Sequence, residues 1–312
     1  MHKRMTSGMD TRKTTFVGPR PEFDGYGVAG RSDWLDIDWR EHLGSCVVHG
    51  SRVNYVEMGE GPAVVLVHGL SGCWQNWLES IPHLARRHHV VAVDLPGFGE
   101  SELPQEEISI PGYGRFVDAF LGAIGLERTA LVGNSMGGFI CAETAITHPS
   151  RVEKVVLVSA AGLVRVGKRR LAALERAARL FHPMSAAFLA RRAYLVRRPK
   201  LRKRMLWGVV RYPELIAPEL AYEVASGAGK PGFLDALNAI VNYDFRDRLP
   251  EISVPTLIVW GRNDRIVPVA GAYEYEELIP NARRVIFEET GHVPMLERPA
   301  RFNQLVEEFL NE

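Results

Sequence analysis

Short, largely apolar runs recur along the chain and alternate with segments that have the apolar spacing of amphipathic helices. Runs of about five residues without polar alternation are typical of parallel strands that helices bury on both faces. The runs are 63–67, 90–93, 129–132, 155–158, 256–260 and 284–287, and the helical segments lie near 74–86, 111–124, 136–147, 269–279 and 299–311. The alternation predicts an α/β fold with a mostly parallel central sheet flanked by helices.

The N-terminal part of the chain does not share this alternation. Residues 1–30 have no periodic apolar positions, which predicts a loose tail. Residues 32–43 predict a short amphipathic helix that docks through three apolar side chains, Trp34, Leu35 and Trp39. From Cys46 the pattern changes to two strand-like runs around Gly50 and Ser51, which predicts a hairpin at the start of the core.

The alternation also breaks between residues 164 and 248, where helical segments and loops are separated by prolines. This stretch is interpreted as an insert between two strands. Its first half is strongly basic, because residues 164–213 hold fifteen lysines and arginines and a single acid, Glu175. The predicted organisation is an N-terminal extension at 1–45, a first core segment at 46–163, the insert at 164–248 and a second core segment at 249–312.

The net charge of the chain is too small to produce a strong electrostatic field around the whole protein. Lys and Arg number 38 and Asp and Glu number 37, for a net charge of +1, so nucleic acid is not an expected partner. Three scattered cysteines, Cys46, Cys73 and Cys141, fit a reducing compartment better than a disulfide framework. The sequence shows no apolar run of the ~20 residues that span a bilayer and no apolar signal region. We therefore expect a cytoplasmic location.

Other short motifs fail the tests for cofactors. The glycines in 59–61 and 97–99 lack the full spacing of a dinucleotide site, and the pairs Cys46 with His49 and His88 with His89 lack further zinc ligands. We therefore expect neither a cofactor nor a metal.

The strongest chemical signal is the segment 133–138, Gly-Asn-Ser-Met-Gly-Gly, which follows a predicted strand and opens a predicted helix. This is the context that a G-x-S-x-G nucleophile elbow requires. The glycines leave room for close packing, while the strained turn exposes the serine hydroxyl above the sheet. Ser135 is therefore the candidate nucleophile; the alternative is a Gly-Ser turn that only starts a helix.

A serine nucleophile needs a histidine base that a carboxylate orients. Asp264 and His292 each follow a predicted strand, and the carboxyl ends of parallel strands meet at one edge of the sheet. Asp264 as a loop cap and His292 as a surface histidine are the alternatives. The chain order Ser, Asp, His and the placement of all three at strand ends favour a catalytic triad.

A tetrahedral intermediate also needs hydrogen-bond donors for its oxyanion. The Met136 N–H at the start of the helix is one candidate, and the Leu70 N–H in the loop after run 63–67 is the other. His68 begins the same loop and is interpreted as a structural hydrogen-bonding residue without a role in proton transfer.

These motifs, with His68-Gly69-Leu70, the segment 94–101 (Asp-Leu-Pro-Gly-Phe-Gly-Glu-Ser) and Gly291-His292, resemble the α/β-hydrolase superfamily, in particular its esterase, lipase and C–C hydrolase branch. The resemblance extends from about Val53 to the C-terminus. It implies an α/β-hydrolase fold in which residues 164–248 form a helical cap over the active site.

The resemblance narrows the expected activity. Related epoxide hydrolases and haloalkane dehalogenases have aspartate where this chain has Ser135, so those activities are disfavoured. We expect hydrolysis of small-molecule carboxylic esters through an acyl-enzyme. The asparagine before the nucleophile, Asn134, resembles the residue at that position in the meta-cleavage-product hydrolases. Those enzymes often have tryptophan after the catalytic histidine, where this chain has Val293. C–C hydrolysis of vinylogous diketones is therefore the alternative activity. A small-ligand receptor without catalysis is the alternative of another class.

The basic first half of the insert has three interpretations. A solvated helical face is the usual meaning of a charge run. Peripheral contact with an anionic membrane comes second, since leucines and phenylalanines lie among the cations. Nucleic-acid binding is the least favoured of the three interpretations. The sequence does not indicate the oligomeric state.

Overall fold

A central β-sheet organises the computed structural model, which describes residues 16–17, 25–27, 31–163, 176 and 185–312. The described residues form nine strands in the order β1-β9-β8-β7-β6-β4-β5-β3-β2. Only the β2–β3 and β3–β5 pairs are antiparallel. The strands are β1 (Phe16–Val17), β2 (Leu43–Val48), β3 (Ser51–Met58), β4 (Ala63–Val67), β5 (His89–Val93), β6 (Thr129–Asn134), β7 (Val152–Val158), β8 (Thr256–Gly261) and β9 (Ala282–Phe287).

Helices cover both faces of this sheet. Alternate residues of β4 enter two separate apolar cores: Val65 and Val67 lie in one, and Val64 and Leu66 lie in the other. The helices are α1 (Ile81–Leu84), α2 (Ile110–Ala123), α3 (Met136–Thr147), α4 (Ser185–Arg197), α5 (Pro199–Leu206), α6 (Pro218–Val224), α7 (Phe233–Asn242), α8 (Ala270–Leu278), α9 (Pro294–Glu297) and α10 (Pro299–Asn311). The predicted α/β fold with a mostly parallel sheet is confirmed.

Among the described residues, no helix has the length and apolar character needed to cross a membrane.

The N-terminal region differs from the sequence prediction. Residues 16–17 pair in parallel with β9, and the Gly27 N–H donates to the Glu297 carbonyl at 2.7 Å, so the described parts of the predicted loose tail are docked on the core. The predicted helix at 32–43 is instead two short 3-10 turns, Asp33–Asp36 and Trp39–Glu41.

Tertiary contacts explain why the two turns do not form one helix. The Trp34 indole donates to the Glu79 carboxylate at 2.8 Å, and the Trp39 ring packs against Trp74 with centroids 5.0 Å apart. The Asp38 side chain accepts from the Arg40 N–H and begins the second turn. Both tryptophans dock as predicted, but through separate turns. The hairpin is present, and its first strand begins at Leu43, before the predicted start of the core at residue 46.

The insert between β7 and β8 is helical where it is described, from α4 to α7. Part of its basic first half, 164–184 except residue 176, lies outside the described residues, and the interpretations of that charge stay predictions. The insert lies directly on the loop after β4, because a Cβ added to Gly227 would come within 2.3 Å of the Ser71 carbonyl oxygen. It therefore covers part of the edge at which the parallel strands end.

Candidate active site

Ser135 lies at the sharp turn between β6 and α3. Its backbone has φ +57° and ψ −116°, a conformation that L-residues adopt rarely and that costs roughly 1–3 kcal/mol. Hydrogen bonds hold it there: the Ser135 N–H donates to Val158 O at 2.9 Å, and the Ser135 carbonyl accepts from Phe139 N and Ala161 N at 3.1 and 3.0 Å. The predicted strand-turn-helix context of the G-x-S-x-G motif is present.

Two glycines of the motif are required by close backbone contacts. A Cβ on Gly137 would lie 2.1 Å from the Val67 carbonyl oxygen, and a Cβ on Gly133 would lie 2.3 Å from the Gly137 carbonyl oxygen. Both carbonyl oxygens belong to the backbone of packed strands or helices, so they cannot move aside easily to make room for a Cβ. The glycines therefore allow α3 to pack against the end of β4 and to present Ser135.

We expect Gly137→Ala to lower the free energy of unfolding by about 3 kcal/mol, because overpacking against a fixed backbone carbonyl forces the helix away from the sheet. Urea denaturation followed by circular dichroism measures this. Gly122→Ala is the matched control, since its added Cβ would have only an ordinary contact at 3.7 Å from Arg151. Equal stability of the two variants would contradict the packing explanation.

Asp264 and His292 meet at the carboxyl ends of β8 and β9. The His292 Nδ1 and Asp264 Oδ2 atoms lie 2.8 Å apart, and both side chains are buried. The other carboxylate oxygen of Asp264 accepts from the Ile266 and Val267 N–H groups at 2.8 and 2.9 Å. Since Nδ1 is engaged by the carboxylate, Nε2 is the ring nitrogen that remains for proton transfer.

Backbone contacts fix the position of His292. Its N–H donates to the Val209 carbonyl of the insert at 2.7 Å, and its carbonyl accepts from the Asn134 side-chain amide at 3.2 Å. Asn134 precedes Ser135, so the same strand end carries the serine and holds the histidine loop. Ser135 and His292 line one cavity, but among the described residues their side chains form no hydrogen bond with each other. Such contacts often tighten only when substrate binds.

The two predicted oxyanion donors belong to the residue after Ser135 and to the loop after β4. Met136 N is the first position of α3 and has no intrahelical acceptor, and Leu70 lines the same cavity. Within the described part of the chain neither N–H has a hydrogen-bond partner. The loop that carries Leu70 approaches closely, because a Cβ on Gly69 would lie 3.0 Å from the Ser135 Cβ.

His68 and Asp94 stabilise that loop. The His68 ring donates from Nδ1 to Gly69 O at 2.8 Å and accepts from Leu95 N at Nε2 at 3.0 Å, so both ring nitrogens are used. Complete burial keeps the pKa of His68 below its ordinary value, although nearby Asp94 opposes the shift. Asp94, also fully buried, accepts from the Trp74 N–H at 2.8 Å. These residues position backbone, and His68 has no nitrogen free for proton transfer.

Sequence reasoning missed Glu297, whose fully buried carboxylate organises the histidine loop. It accepts hydrogen bonds from three backbone N–H groups and one hydroxyl, those of Gly291, Val293, Arg211 and Tyr26. The first two residues flank His292, the third belongs to the insert and the last to the N-terminal region. Burial raises the pKa of Glu297, and the hydrogen bonds oppose that shift. Its spacing of five residues after His292 was the only available signal.

Glu288 and Glu289, in the loop after β9, are partly buried and paired. Glu288 binds Arg262 at 2.9 Å, and Glu289 binds Arg211 at 3.1 Å and accepts from the Tyr212 hydroxyl at 2.6 Å. The insert folds back over the loop after β9 and supplies Arg211, whereas Arg262 comes from the loop after the neighbouring strand β8.

The cavity has a volume of about 880 Å³, within the range of small-molecule sites. Most of its lining side chains are apolar and come from the insert. Besides Ser135 and His292, the polar side chains that line it are Ser71, Asn76, Asn134, Arg204 and Arg265. Among the described residues no group of three or more His, Cys, Asp or Glu side chains is placed to hold a metal ion.

This fold and this strand-end constellation define an α/β hydrolase. The chain belongs to the family whose model is described as alpha/beta hydrolase fold, which matches residues 62–299.

Relatives of known activity support a hydrolase. The pimeloyl-[acyl-carrier protein] methyl ester esterase of Aeromonas hydrophila is 32% identical over 83% of this chain and 99% of its own length. The 2-hydroxy-6-oxo-6-phenylhexa-2,4-dienoate hydrolase of Comamonas testosteroni is 30% identical over 83% of this chain and 91% of its own. The crystal structure of a bacterial membrane phospholipase A superposes with a TM-score of 0.68, at 32% identity and 86% coverage of both chains.

Proposed function

We propose that this protein is a carboxylic ester hydrolase that uses Ser135, His292 and Asp264 as a catalytic triad. One observation carries the proposal: the strained Ser135 and the Asp264-bound His292 line the same largely apolar cavity. Two N–H groups without partners among the described residues belong to Leu70, which lines the cavity, and to Met136, which follows Ser135. The names of an esterase and a phospholipase among the similar proteins favour an ester as the substrate.

The reaction follows from the roles that these groups can take. His292 Nε2 removes the hydroxyl proton as Ser135 attacks the ester carbonyl, and the Leu70 and Met136 N–H groups bind the developing oxyanion. His292 then gives the proton to the departing alcohol, which leaves an acyl group on Ser135. Water attacks this acyl-enzyme with His292 as base, and the acid and free serine result. Asp264 holds the tautomer in which Nε2 accepts the proton.

The substrate's acyl group is expected to be apolar and of medium length, because the insert lines most of the cavity with apolar side chains. A cavity of this kind discriminates by only ~1–3 kcal/mol per methylene, so a graded chain-length preference is expected. Kinetics with a series of p-nitrophenyl esters from acetate to dodecanoate should give a maximum of kcat/KM at intermediate length. A maximum at acetate would contradict a role for the cavity in acyl binding.

C–C hydrolysis of a vinylogous diketone is the second candidate, favoured by the similarity to the Comamonas testosteroni hydrolase. The same triad would serve. Parallel assays with p-nitrophenyl esters and with a 2-hydroxy-6-oxo-dienoate separate the two candidates. An ester hydrolase prefers the ester by a large factor in kcat/KM, and the reverse preference would favour C–C hydrolysis.

Covalent labelling tests the nucleophile. A fluorophosphonate probe is expected to label the native protein and the Ser45→Ala control, whose serine is exposed on β2, but not the Ser135→Ala variant. Labelling that persists in Ser135→Ala would overturn the assignment. Native protein that neither reacts with the probe nor hydrolyses any ester, yet binds an apolar ligand stoichiometrically, would favour the receptor alternative.

A further inference from the structure

The wall of the cavity carries positive charge without a compensating acid. Two arginines, Arg204 and Arg265, line it, and no aspartate or glutamate side chain does so among the described residues. Both arginines are also exposed to solvent, as is Ile266, which lines the same cavity. Side chains that line a cavity and also face solvent lie at its mouth. The arginines therefore stand where an apolar interior opens to water.

The two guanidinium groups come from different parts of the molecule. Arg204 lies on α5 of the insert, next to Met205 and Leu206, which line the cavity. Arg265 directly follows Asp264 in the loop after β8. The backbone on both sides of Arg265 is held, because Asp264 binds His292 and accepts from the Ile266 N–H. A ligand that contacts both arginines would bridge the insert and the core.

Two nearby cations have acid partners, whereas Arg204 and Arg265 have none among the described residues. Lys203, beside Arg204, lies 3.6 Å from Glu214, and Arg211 lies 3.1 Å from Glu289. In the described ranges of the chain neither Arg204 nor Arg265 has a carboxylate within ion-pair distance. Arg265 instead lies over the ring of Trp207, with 5.3 Å between its guanidinium carbon and the ring centroid. This contact orients the Arg265 guanidinium and leaves its N–H donors available.

Guanidinium groups of this kind recognise carboxylate and phosphate. Their planar set of donors matches two anionic oxygens at once, and the interaction strengthens beside a low-dielectric wall. A cleft lined by a single sign of charge also concentrates ligands of the opposite sign. The ligand that satisfies both features of the cavity has an apolar body and an anionic end.

We propose that Arg204 and Arg265 form an anion subsite at the cavity mouth, and that the preferred substrates are esters that carry a carboxylate or phosphate separated from the scissile bond by apolar chain. That the ligand is an ester rests on the proposed function. The anion subsite itself does not, because binding can be measured without turnover.

Matched substrate pairs test selectivity and show which half of the ester carries the charge. One pair is p-nitrophenyl octanoate and its ω-carboxylate analogue; the other is monooctanoylglycerol and octanoylglycerol phosphate. In at least one pair the anionic member is expected to have a kcat/KM about tenfold higher, which corresponds to ~1.4 kcal/mol at 25 °C. The double variant Arg204→Gln, Arg265→Gln should reduce that ratio to about one. Arg115→Gln, an exposed arginine on α2, is the control and should keep it.

Binding of octyl phosphate and octanol, measured by titration calorimetry below micelle-forming concentrations, is the readout that needs no catalysis. The native protein and Arg115→Gln should bind octyl phosphate about tenfold more tightly, with a preference that falls as salt rises, and the double variant should lose the preference. Equal affinities in the native protein, or a preference that survives in the double variant, would overturn the subsite.

The two hypotheses fail separately. Hydrolysis of neutral esters without any anionic preference would leave the proposed function standing and remove the subsite. Selective binding of octyl phosphate through the arginines, in a protein that hydrolyses no ester, would do the opposite.

Discussion

Replacing Asp264 with asparagine is expected to lower kcat for p-nitrophenyl ester hydrolysis about 10⁴-fold with little change in stability. The side-chain oxygen of asparagine can still accept from the Ile266 and Val267 N–H groups, as Oδ1 of Asp264 does now. Its amide nitrogen then faces His292 Nδ1 and donates to it. The imidazole must carry its proton on Nε2 in that arrangement, so it cannot accept the proton of Ser135.

Asp247→Asn is the matched control, since Asp247 is an exposed aspartate that precedes β8 and lies outside the cavity lining. Steady-state kinetics and urea denaturation of both variants separate a tautomer effect from loss of structure. An Asp264→Asn variant that retains more than about a tenth of native kcat would exclude Asp264 as the partner of a catalytic histidine.

Glu297→Gln is expected to reduce the free energy of unfolding by about 3 kcal/mol and kcat by about tenfold. Both oxygens of this buried carboxylate accept from N–H groups, so a glutamine amide must point its NH₂ at one of these donors. Either orientation disturbs the loop on both sides of His292. Urea denaturation and ester kinetics measure the two effects. Glu277→Gln, on the exposed side of α8, should change neither quantity.

The same variant has a characteristic pH dependence. Burial raises the pKa of Glu297 in the folded protein. The folded state then binds more protons than the unfolded state between the ordinary glutamate pKa and the raised one, and the contribution of Glu297 to stability falls as pH rises through that window. The stability difference between the native protein and Glu297→Gln should therefore be largest below the window. A difference that grows with pH would show that the carboxyl is more acidic when folded.

The strands and the nucleophile turn could be predicted from the sequence, because their patterns lie within short segments of the chain. Each predicted strand of the parallel sheet is present with small shifts at its ends, as for 155–158, which extends to Val152–Val158. Gly133 and Gly137 stand two residues before and after Ser135, where backbone segments pack too closely for a side chain. Any turn of this kind requires such close packing, so the glycines predicted it. The contact between Asp264 and His292 followed from a general rule, that parallel strands end at one edge of the sheet.

The N-terminal region shows where this reasoning stopped. The spacing of Trp34 and Trp39 suggested one helix, yet the two rings dock on Glu79 and Trp74, residues more than thirty positions away. Local propensity was overridden by contacts that no window of the sequence contains. Glu297 was overlooked for the same reason, since an isolated glutamate near the C-terminus looks like a solvated one until Tyr26 and Arg211 reach it.

The sequence alone thus determined the class of fold, the order of its strands along the chain and the residue types available at the strand ends, because periodicity and turn chemistry act over a few neighbouring residues. Only the tertiary structure decided which distant groups meet: the carboxylate of Glu297 against the histidine loop, the insert over Ser135, and Arg204 and Arg265 at one cavity mouth. Such contacts depend on chain closure over long separations, and burial then fixes the charge and hydrogen bonding of each group.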